Sequence, residues 1–401
     1  MISSAVNSPI RLAEAASGAA ATVHRARITA IDALRGLVMV IMLLDHVRET
    51  LYLHLQVTDP MTVPGTLPEV FFSRLAAHFC APAFVFLTGL SAWLYANPPS
   101  GLLRPVRGFL LKRGLLLIAL ELSVISFAWS GTYQVIYLQV MWAIGFSMVV
   151  LAVLSGLPLP WLLGLGLLIV GGHNAVAGWV VAPDSGWYLP WTLMLHRGWA
   201  LAEGALRVRL TYPALPWVGV ILLGYCCGPL FSARVSAGQR QRLLVVLGLG
   251  CLALLLLLRG FNLYGENLPW VAGERPVLTL MSWLNFTKYP PSLDFLLMTL
   301  GAALLALAVL ERLDNPLTRV FSTFGGAPMF YYIVHLYLLM LGYKLLLALF
   351  GPNQGTRFGV NADAFWMVWV VWLALVPVLY LPCRAFAAYK RRSTQAWVKY
   401  F

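Results

Sequence analysis

Long apolar stretches, separated by short polar ones, fill most of the chain between residues 31 and 386. An α-helix needs about 20 predominantly apolar residues to cross the hydrocarbon core of a bilayer. Several stretches reach this length, so the pattern predicts about ten membrane-spanning helices. Their predicted bounds are roughly 31–53, 71–95, 108–129, 133–154, 160–181, 212–231, 241–259, 292–310, 325–350 and 363–386. A further aromatic-rich segment, residues 187–203, is expected to form an interfacial or re-entrant helix.

The first predicted span, IDALRGLVMVIMLLDHVRETLYL, carries ionisable residues at both of its ends. Arg35 and His46 are eleven positions apart, which places them within about 20° of each other around a helix. Residues spaced three or four apart form one face: Asp32, Arg35, Met39, Met42, His46 and Glu49. Because ionisable groups within a membrane are costly and uncommon, this face is the first candidate site.

The composition agrees with a membrane protein. Of the 401 residues, 60% are hydrophobic and 11% are charged, whereas soluble domains carry about 25% charged residues. The sequence therefore predicts an all-α, polytopic transmembrane helix bundle and excludes a soluble fold.

The charged residues are strongly biased towards the basic side, with 28 Lys and Arg against 15 Asp and Glu. Most of the basic residues fall in the tails and in alternate loops, as expected for segments held in the cytoplasm. This bias predicts a cytoplasmic N-terminus and argues against nucleic acid as a partner. We expect a flexible cytoplasmic leader at 1–27, a transmembrane domain at 28–386, and a basic cytoplasmic tail at 387–401 against anionic lipids.

Metal and cofactor motifs are not found in the sequence. The five cysteines are an odd number, and none has a CxxC or Cys/His spacing, so neither disulfides nor a structural zinc are supported. No P-loop, HExxH or GxSxG pattern occurs. We therefore predict no metal site.

Other polar residues are expected near the outer end of the first span, where His46 lies. They are His54 in the first outer loop, Arg74 and His78 on the second span, Lys288 and Tyr289 at the start of the eighth span, and His335 in the ninth. Each also has a structural interpretation. Lys288 and Tyr289 suit interfacial anchors, Arg74 a side chain that reaches the headgroups, and His335 a core histidine.

Asp45 and His46 together suggest a centre that handles protons. A carboxylate can fix the tautomer of a histidine and raise its basicity, as a general base requires. Adjacent residues point about 100° apart on a helix, however. Asp45 therefore has a second interpretation as the partner of Arg48, in which case Glu49 or a residue from another helix orients His46.

Five segments of the chain resemble the bacterial branch of the heparan-α-glucosaminide N-acetyltransferase-like family. They are RITAIDALRGLVMVIMLLDH (27–46), HFCAPAFVFLTG (78–89), PWVGVILLGY (216–225), TKYPPSLDFLLMTLG (287–301) and FGGAPMFYYIVHLYL (324–338). The LRG motif with a histidine eleven residues after its arginine also resembles the first helix of acyltransferase-3 proteins. Both belong to a grouping of transmembrane acyltransferases with ten to eleven helices.

The resemblance implies a reaction and a set of roles. An acetyl or other acyl group would arrive on cytosolic acyl-CoA and pass to a hydroxyl or amine of a sugar on the other side. A histidine near the outer face would act as base or as transient acyl carrier. Arg35, with Asp32 at the same mouth, would meet the CoA phosphates, and His46 would meet the thioester about 16 Å further along the helix axis.

The two resemblances favour different histidines as the active residue. In the lysosomal relative the position of His46 looks like an asparagine, and the active histidine lies further on, in the first luminal loop. That likeness favours His54 here, while the acyltransferase-3 likeness favours His46. We order the catalytic candidates as His46 (with Asp45), His78 and His54.

The predicted function is an acyl-CoA-dependent acyltransferase of the inner membrane that modifies an extracytoplasmic sugar or glycolipid. Arg48, Glu49, Arg74, Lys288, Tyr289 and His335 are the candidate substrate-binding residues. The rival interpretation is a transporter or flippase for a sugar, lipid intermediate or proton-coupled solute, since intramembrane ionisable chains suit that function as well. Against it, the chain has no internal repeat of the kind many transporters show. The sequence leaves the oligomeric state open.

Overall fold

The computed structural model describes residues 9–351 and 365–401, with side chains from residue 29 onward except those of residues 54, 396 and 399. The protein is mostly helical. The helices are α1 (Pro9–Leu51), α2 (Pro68–Ala77), α3 (Cys80–Ala96), α4 (Val106–Leu120), α5 (Ser126–Ser130), α6 (Val140–Leu154), α7 (Leu159–Gly172), α8 (Tyr188–Leu195), α9 (Leu215–Cys226), α10 (Ala237–Gly260), α11 (Pro276–Trp283), α12 (Leu293–Leu310), α13 (Pro316–Gly325), α14 (Pro328–Phe350) and α15 (Trp366–Arg392).

Within the described residues, six helical segments are long and apolar enough to cross a membrane. They are Pro68–Ala96, Leu159–Val176, Ala237–Gly260, Leu293–Leu310, Pro328–Phe350 and Trp366–Arg392. Each overlaps one of the predicted spans. The first predicted span lies within the longer α1, whose backbone begins at Pro9. Residues 1–8 of the predicted leader lie outside the described residues, and the division into leader, domain and tail stays a prediction.

A small three-stranded sheet interrupts the helical pattern. Its strands are β1 (Val135–Leu138), β2 (Gly198–Leu201) and β3 (Arg207–Leu210), in the order β1-β3-β2. Strand β1 runs parallel to β3, and β2 runs antiparallel to it.

The sheet corrects two expectations from the sequence. The predicted span 133–154 is helical only from Val140, and the segment 187–203 is a short helix followed by β2. A short apolar run such as VIYL has no periodicity that separates a strand from a buried helix. The partner that makes it a strand, β3, lies some 70 residues away.

Helix α1 lies at the centre of the fold and packs against α2, α3, α12, α13, α14 and α15. Its crossing with α13 depends on two glycines. A Cβ added at Gly36 would overlap the backbone carbonyl of Phe321, and one added at Gly325 would overlap the carbonyl of Asp32. The two backbones therefore approach each other closely at the Arg35 end of α1.

The third predicted span is one helix with a π-helical turn at Glu121–Ile125 between α4 and α5. Glu121 is fully buried there. Its carboxylate oxygen Oε2 accepts hydrogen bonds from the backbone N–H groups of Met141 (2.8 Å) and Trp142 (3.0 Å). These N–H groups are among those at a helix start that have no partner within the helix. Glu121 thus caps α6 immediately after β1.

Candidate functional site

A cavity of about 1370 Å³ lies beside the central helix α1. Its lining includes every member of the face predicted from the sequence, namely Asp32, Arg35, Met39, Met42, His46 and Glu49. A single cavity therefore connects the Arg35 end of α1 with the His46 end. The two methionines form part of the wall between them.

His46 makes its closest polar contact with a second histidine, His335 on α14. The distance from His46 Nδ1 to His335 Nε2 is 2.8 Å, and the two rings are stacked with centroids 5.1 Å apart. The other nitrogen of His335, Nδ1, lies 2.9 Å from the backbone carbonyl oxygen of Tyr331. His335 is fully buried and is not among the residues that line the cavity.

These contacts determine which ring nitrogens carry protons when both histidines are neutral. A carbonyl oxygen can only accept, so His335 Nδ1 donates to Tyr331 and His335 Nε2 is left as an acceptor. His46 Nδ1 must then donate to His335 Nε2. The remaining nitrogen of His46, Nε2, keeps its lone pair, as a general base requires.

Aromatic side chains surround the His46 ring on its other sides. Trp129 lies at a centroid distance of 5.1 Å and an interplanar angle of 76°, and Tyr332 lies at 6.3 Å and 75°. Both residues also line the cavity. Two aromatic rings of the cavity wall therefore lie against the His46 ring.

Asp45 bonds to two arginines. Arg48 donates to Asp45 Oδ1 from Nη2 (2.6 Å) and Nε (3.1 Å), and Arg74 of α2 donates to Asp45 Oδ2. Arg74 also binds Glu49 Oε1 at 3.0 Å. Of the two interpretations left open by the sequence, the pairing of Asp45 with Arg48 is therefore the one observed, and His335 is the residue in contact with His46.

The loop after α1 and the segment before α12 meet at the same end of the cavity. The carboxylate of Asp59 accepts from the backbone N–H groups of Lys288 (3.1 Å) and Tyr289 (2.9 Å). Burial raises the pKa of Asp59 above its ordinary value, although Arg74 and the backbone N–H of Lys288 act in the opposite direction. Asp59, Lys288, Tyr289 and Arg197 all line the cavity.

The opposite end of the cavity is basic. Arg35 is paired with Asp32 at 2.8 Å and also donates to the hydroxyl of Ser91 on α3. Three more basic residues line this end, Arg113 of α4 and the pair Lys390 and Arg391 of α15. Within the described residues Arg113 Nε has no hydrogen-bond partner. This group of cations suits a ligand with several phosphates.

Residues 27–258 match the family model described as heparan-alpha-glucosaminide N-acetyltransferase, catalytic. The match covers more than half of the chain. The protein belongs to this family. Comparison with curated proteins gives no match. Family membership supports acyltransferase activity in a membrane, which agrees with the resemblance found in the sequence.

The family match contains one half of the histidine pair. It includes α1 with His46, and α2 with Arg74, while His335 and Lys288 lie beyond its end at residue 258. The candidate site of this acetyltransferase-family protein is therefore completed by α14 and by the segment before α12, both from the later part of the chain.

The remaining candidates lie away from the cavity or outside the described side chains. His78 is buried against Phe295, with a ring distance of 5.2 Å, and is not among the cavity-lining residues. Arg48 is likewise absent from the lining, because its guanidinium is held by Asp45 and by the carbonyl of Leu55. The side chain of His54 is outside those that the structure describes.

The sequence did not single out several residues of the cavity wall as site residues. Arg113, Arg197, Lys390 and Arg391 counted there only as basic residues that fix topology. For Arg113, Lys390 and Arg391 the one available signal was a position near the predicted end of a span, which many charged residues share. Arg197 lies within the segment 187–203 and had no such signal.

Proposed function

We propose that this protein is an integral membrane acyltransferase that moves an acetyl or other short acyl group from cytosolic acyl-CoA to a hydroxyl or amine of an extracytoplasmic sugar or glycolipid. The observation that carries the proposal is the single cavity with a cluster of cations at one end and the free nitrogen of His46 further along. Family membership supports the reaction type.

The proposed topology has ten to eleven spans with the N-terminus in the cytoplasm of an inner membrane. The basic residues near Arg35 support this orientation, because Lys and Arg are enriched on the cytoplasmic side. Arg113, Lys390 and Arg391 lie at that end of the cavity. The His46 end then belongs to the outer half of the bilayer.

The donor enters at the Arg35 end. Arg113, Lys390 and Arg391 bind the phosphates of acyl-CoA, and Arg35 with its partner Asp32 shapes the mouth. The pantetheine arm extends along Met39 and Met42. This arrangement brings the thioester to His46, about 16 Å along the axis of α1 from Arg35.

The proton is moved by His46. As the acceptor hydroxyl or amine attacks the thioester carbon, His46 Nε2 takes its proton, and the departing CoA thiolate receives that proton when the C–S bond breaks. His335 keeps Nδ1 of His46 protonated, so that Nε2 remains the basic atom. A transient acyl group on His46 would use the same nitrogen as nucleophile.

The acceptor enters at the opposite end. Glu49, Arg74, Lys288 and Tyr289 line that end and bind the sugar. Asp45 is the counter-ion that holds Arg74 in place. For Arg48 we propose a supporting role, since its contacts are with Asp45 and the chain itself.

The direct test is acetyl-CoA turnover by the purified protein in detergent. Radiolabelled acetyl-CoA is added with glucosamine as trial acceptor, and free CoA thiol, labelled product and label on the protein are measured. The parent is expected to release CoA or to become labelled, and His46→Ala to lose this activity by about 10²- to 10⁴-fold.

A matched control is His78→Ala, because His78 is buried on the neighbouring helix and does not line the cavity. Equal turnover by the parent and His46→Ala would refute the role of His46. A parent that neither releases CoA nor is labelled, yet carries a solute into proteoliposomes, would favour the rival transporter or flippase.

A further inference from the structure

Two adjacent tyrosines on α14, Tyr331 and Tyr332, point in different directions. The hydroxyl of Tyr331 donates to the backbone carbonyl of Met39 at 3.2 Å, and Tyr331 does not line the cavity. Tyr332 does line it. Adjacent residues of a helix point about 100° apart, so one side chain supports the α1–α14 contact and the other faces the cavity.

Tyr332 lies beside the histidine pair. It precedes His335 by three positions and so shares a face of α14 with it. Its ring centroid is 5.3 Å from that of His335 and 6.3 Å from that of His46. A group bound at the free nitrogen of His46 is therefore also close to the Tyr332 ring.

The Tyr332 hydroxyl is available to a ligand. Within the described part of the chain it makes no hydrogen bond, and it is not one of the fully enclosed polar atoms that lack a partner. It is therefore accessible from the cavity. A phenolic O–H can donate one hydrogen bond to an acceptor oxygen.

Two other donors near His46 are less suited to a neutral acyl oxygen. Arg74 is already paired with Asp45 and Glu49. The indole nitrogen of Trp129 is enclosed and has no partner among the described residues. Tyr332 thus combines an available donor with a position next to the base.

We propose that the Tyr332 hydroxyl donates a hydrogen bond to the acyl carbonyl oxygen of the thioester and stabilises the negative charge that develops on it. This inference rests on the proposed acyltransferase function and names a further catalytic residue for it. Preorganised donors aimed at a developing oxyanion are often the largest single contribution to acyl-transfer catalysis.

The acceptor heteroatom forms a bond to the thioester carbon while His46 Nε2 takes its proton, and the C=O π electrons move onto the oxygen that Tyr332 contacts. When the C=O bond re-forms, the C–S bond breaks with its electron pair on sulfur. The imidazolium of His46 then protonates the CoA thiolate, so Tyr332 keeps its own proton throughout.

The experiment compares Tyr332→Phe with Tyr337→Phe in the full-length protein, with turnover of acetyl-CoA as the first readout. Tyr337 is also on α14, but it does not line the cavity. Tyr332→Phe is expected to lower kcat by about 10²- to 10³-fold, the usual effect of removing one oxyanion donor, with little change in the KM for acetyl-CoA. Tyr337→Phe loses the hydrogen bond from its hydroxyl to the backbone carbonyl of Val124 (2.9 Å) but keeps the Tyr332 hydroxyl, so its kcat should stay near that of the parent.

A binding readout separates this role from a structural one. The ligands are the trifluoroketone analogue of acetyl-CoA, whose hydrated carbonyl carbon is tetrahedral and carries two hydroxyl oxygens, and S-ethyl-CoA, which lacks the acyl carbonyl oxygen of the thioester. Parent and Tyr337→Phe should prefer the ketone, whereas Tyr332→Phe should lose that preference and bind S-ethyl-CoA unchanged.

Three outcomes would count against the inference. If the parent turns over acetyl-CoA and Tyr332→Phe matches Tyr337→Phe in kcat, the proposed function stands and the role of Tyr332 is wrong. The same holds if Tyr332→Phe keeps the preference for the ketone. If the parent shows no acetyl-CoA-dependent activity, the proposed function fails and this inference fails with it.

Discussion

His335 on α14 contacts His46 on α1 through a 2.8 Å interaction between their ring nitrogens, although 289 positions separate the two residues in the chain. The contact places a fully buried imidazole behind one that faces the cavity. The carbonyl of Tyr331 fixes the proton on the far side of His335. The basic atom of the proposed centre is thus determined by a residue that has no contact with the cavity.

His335→Phe should therefore lower kcat without changing the KM for acetyl-CoA. Without an acceptor at His335 Nε2, His46 is free to adopt the tautomer whose Nε2 carries the proton and cannot act as base. The loss in kcat should be at least about 10-fold and should not exceed the 10²- to 10⁴-fold loss that removal of a general base gives. His335→Gln, whose amide oxygen can accept from His46 Nδ1, should retain more activity than His335→Phe. Equal kcat for His335→Phe and the parent would exclude the positioning role.

Asp45→Asn should destabilise the protein. Arg48 and Arg74 would remain buried with a weakened counter-charge, and breaking a buried pair in this way costs about 3–5 kcal/mol. The midpoint of thermal unfolding in detergent measures the effect. Asp314→Asn is the matched control, because the Asp314–Arg319 pair is exposed at the surface and should leave the midpoint unchanged. Equal midpoints for both variants would contradict the structural role of Asp45.

Gly36→Ala should loosen the crossing of α1 with α13. The new methyl group would overlap the backbone carbonyl of Phe321, and inserting a carbon into a packed contact costs about 1–3 kcal/mol. Gly250→Ala on α10 is the control, since a Cβ there meets no other atom within 4 Å. The prediction is a lower unfolding midpoint for Gly36→Ala alone, and a stable Gly36→Ala variant would show that the helices separate at little cost.

Arg113→Gln should weaken the binding of acyl-CoA. A charge-assisted hydrogen bond contributes about 1.5–3 kcal/mol, so the KM for acetyl-CoA is expected to rise by roughly 10- to 100-fold while kcat changes little. The dependence of KM on salt concentration should also become shallower. Lys112→Gln is a suitable control, because Lys112 is the exposed neighbour of Arg113 and does not line the cavity. An equal rise in both variants would indicate a general effect of charge rather than a phosphate site.

The face of α1 was predictable because all of its members belong to one helix. The period of 3.6 residues alone places Arg35, Met39, Met42 and His46 on one side, and the cavity lies on that side. Contacts between distant segments could not be read in this way. Nothing local to His46 indicates His335, and the carboxylate of Asp59 meets the segment 288–289 only through the tertiary fold.

The interpretation of Asp45 shows where local reasoning stops. The sequence indicated two possible partners, and the helix angle between adjacent residues weighed against His46. The deciding residue was Arg74 on another helix, which binds the second oxygen of Asp45. The sheet was missed for a related reason, since β1 becomes a strand through pairing with β3.

Two ion pairs of α1, Asp32 with Arg35 and Asp45 with Arg48, join residues three positions apart. They can therefore form within the isolated helix, before any neighbour has packed against it. A single charge at the centre of a bilayer costs about 2.5–3.5 kcal/mol on insertion scales, and pairing reduces that cost during biosynthesis. In the proposed topology, helix α1 therefore enters the bilayer with four of its charged groups already paired, before the later helices pack against it.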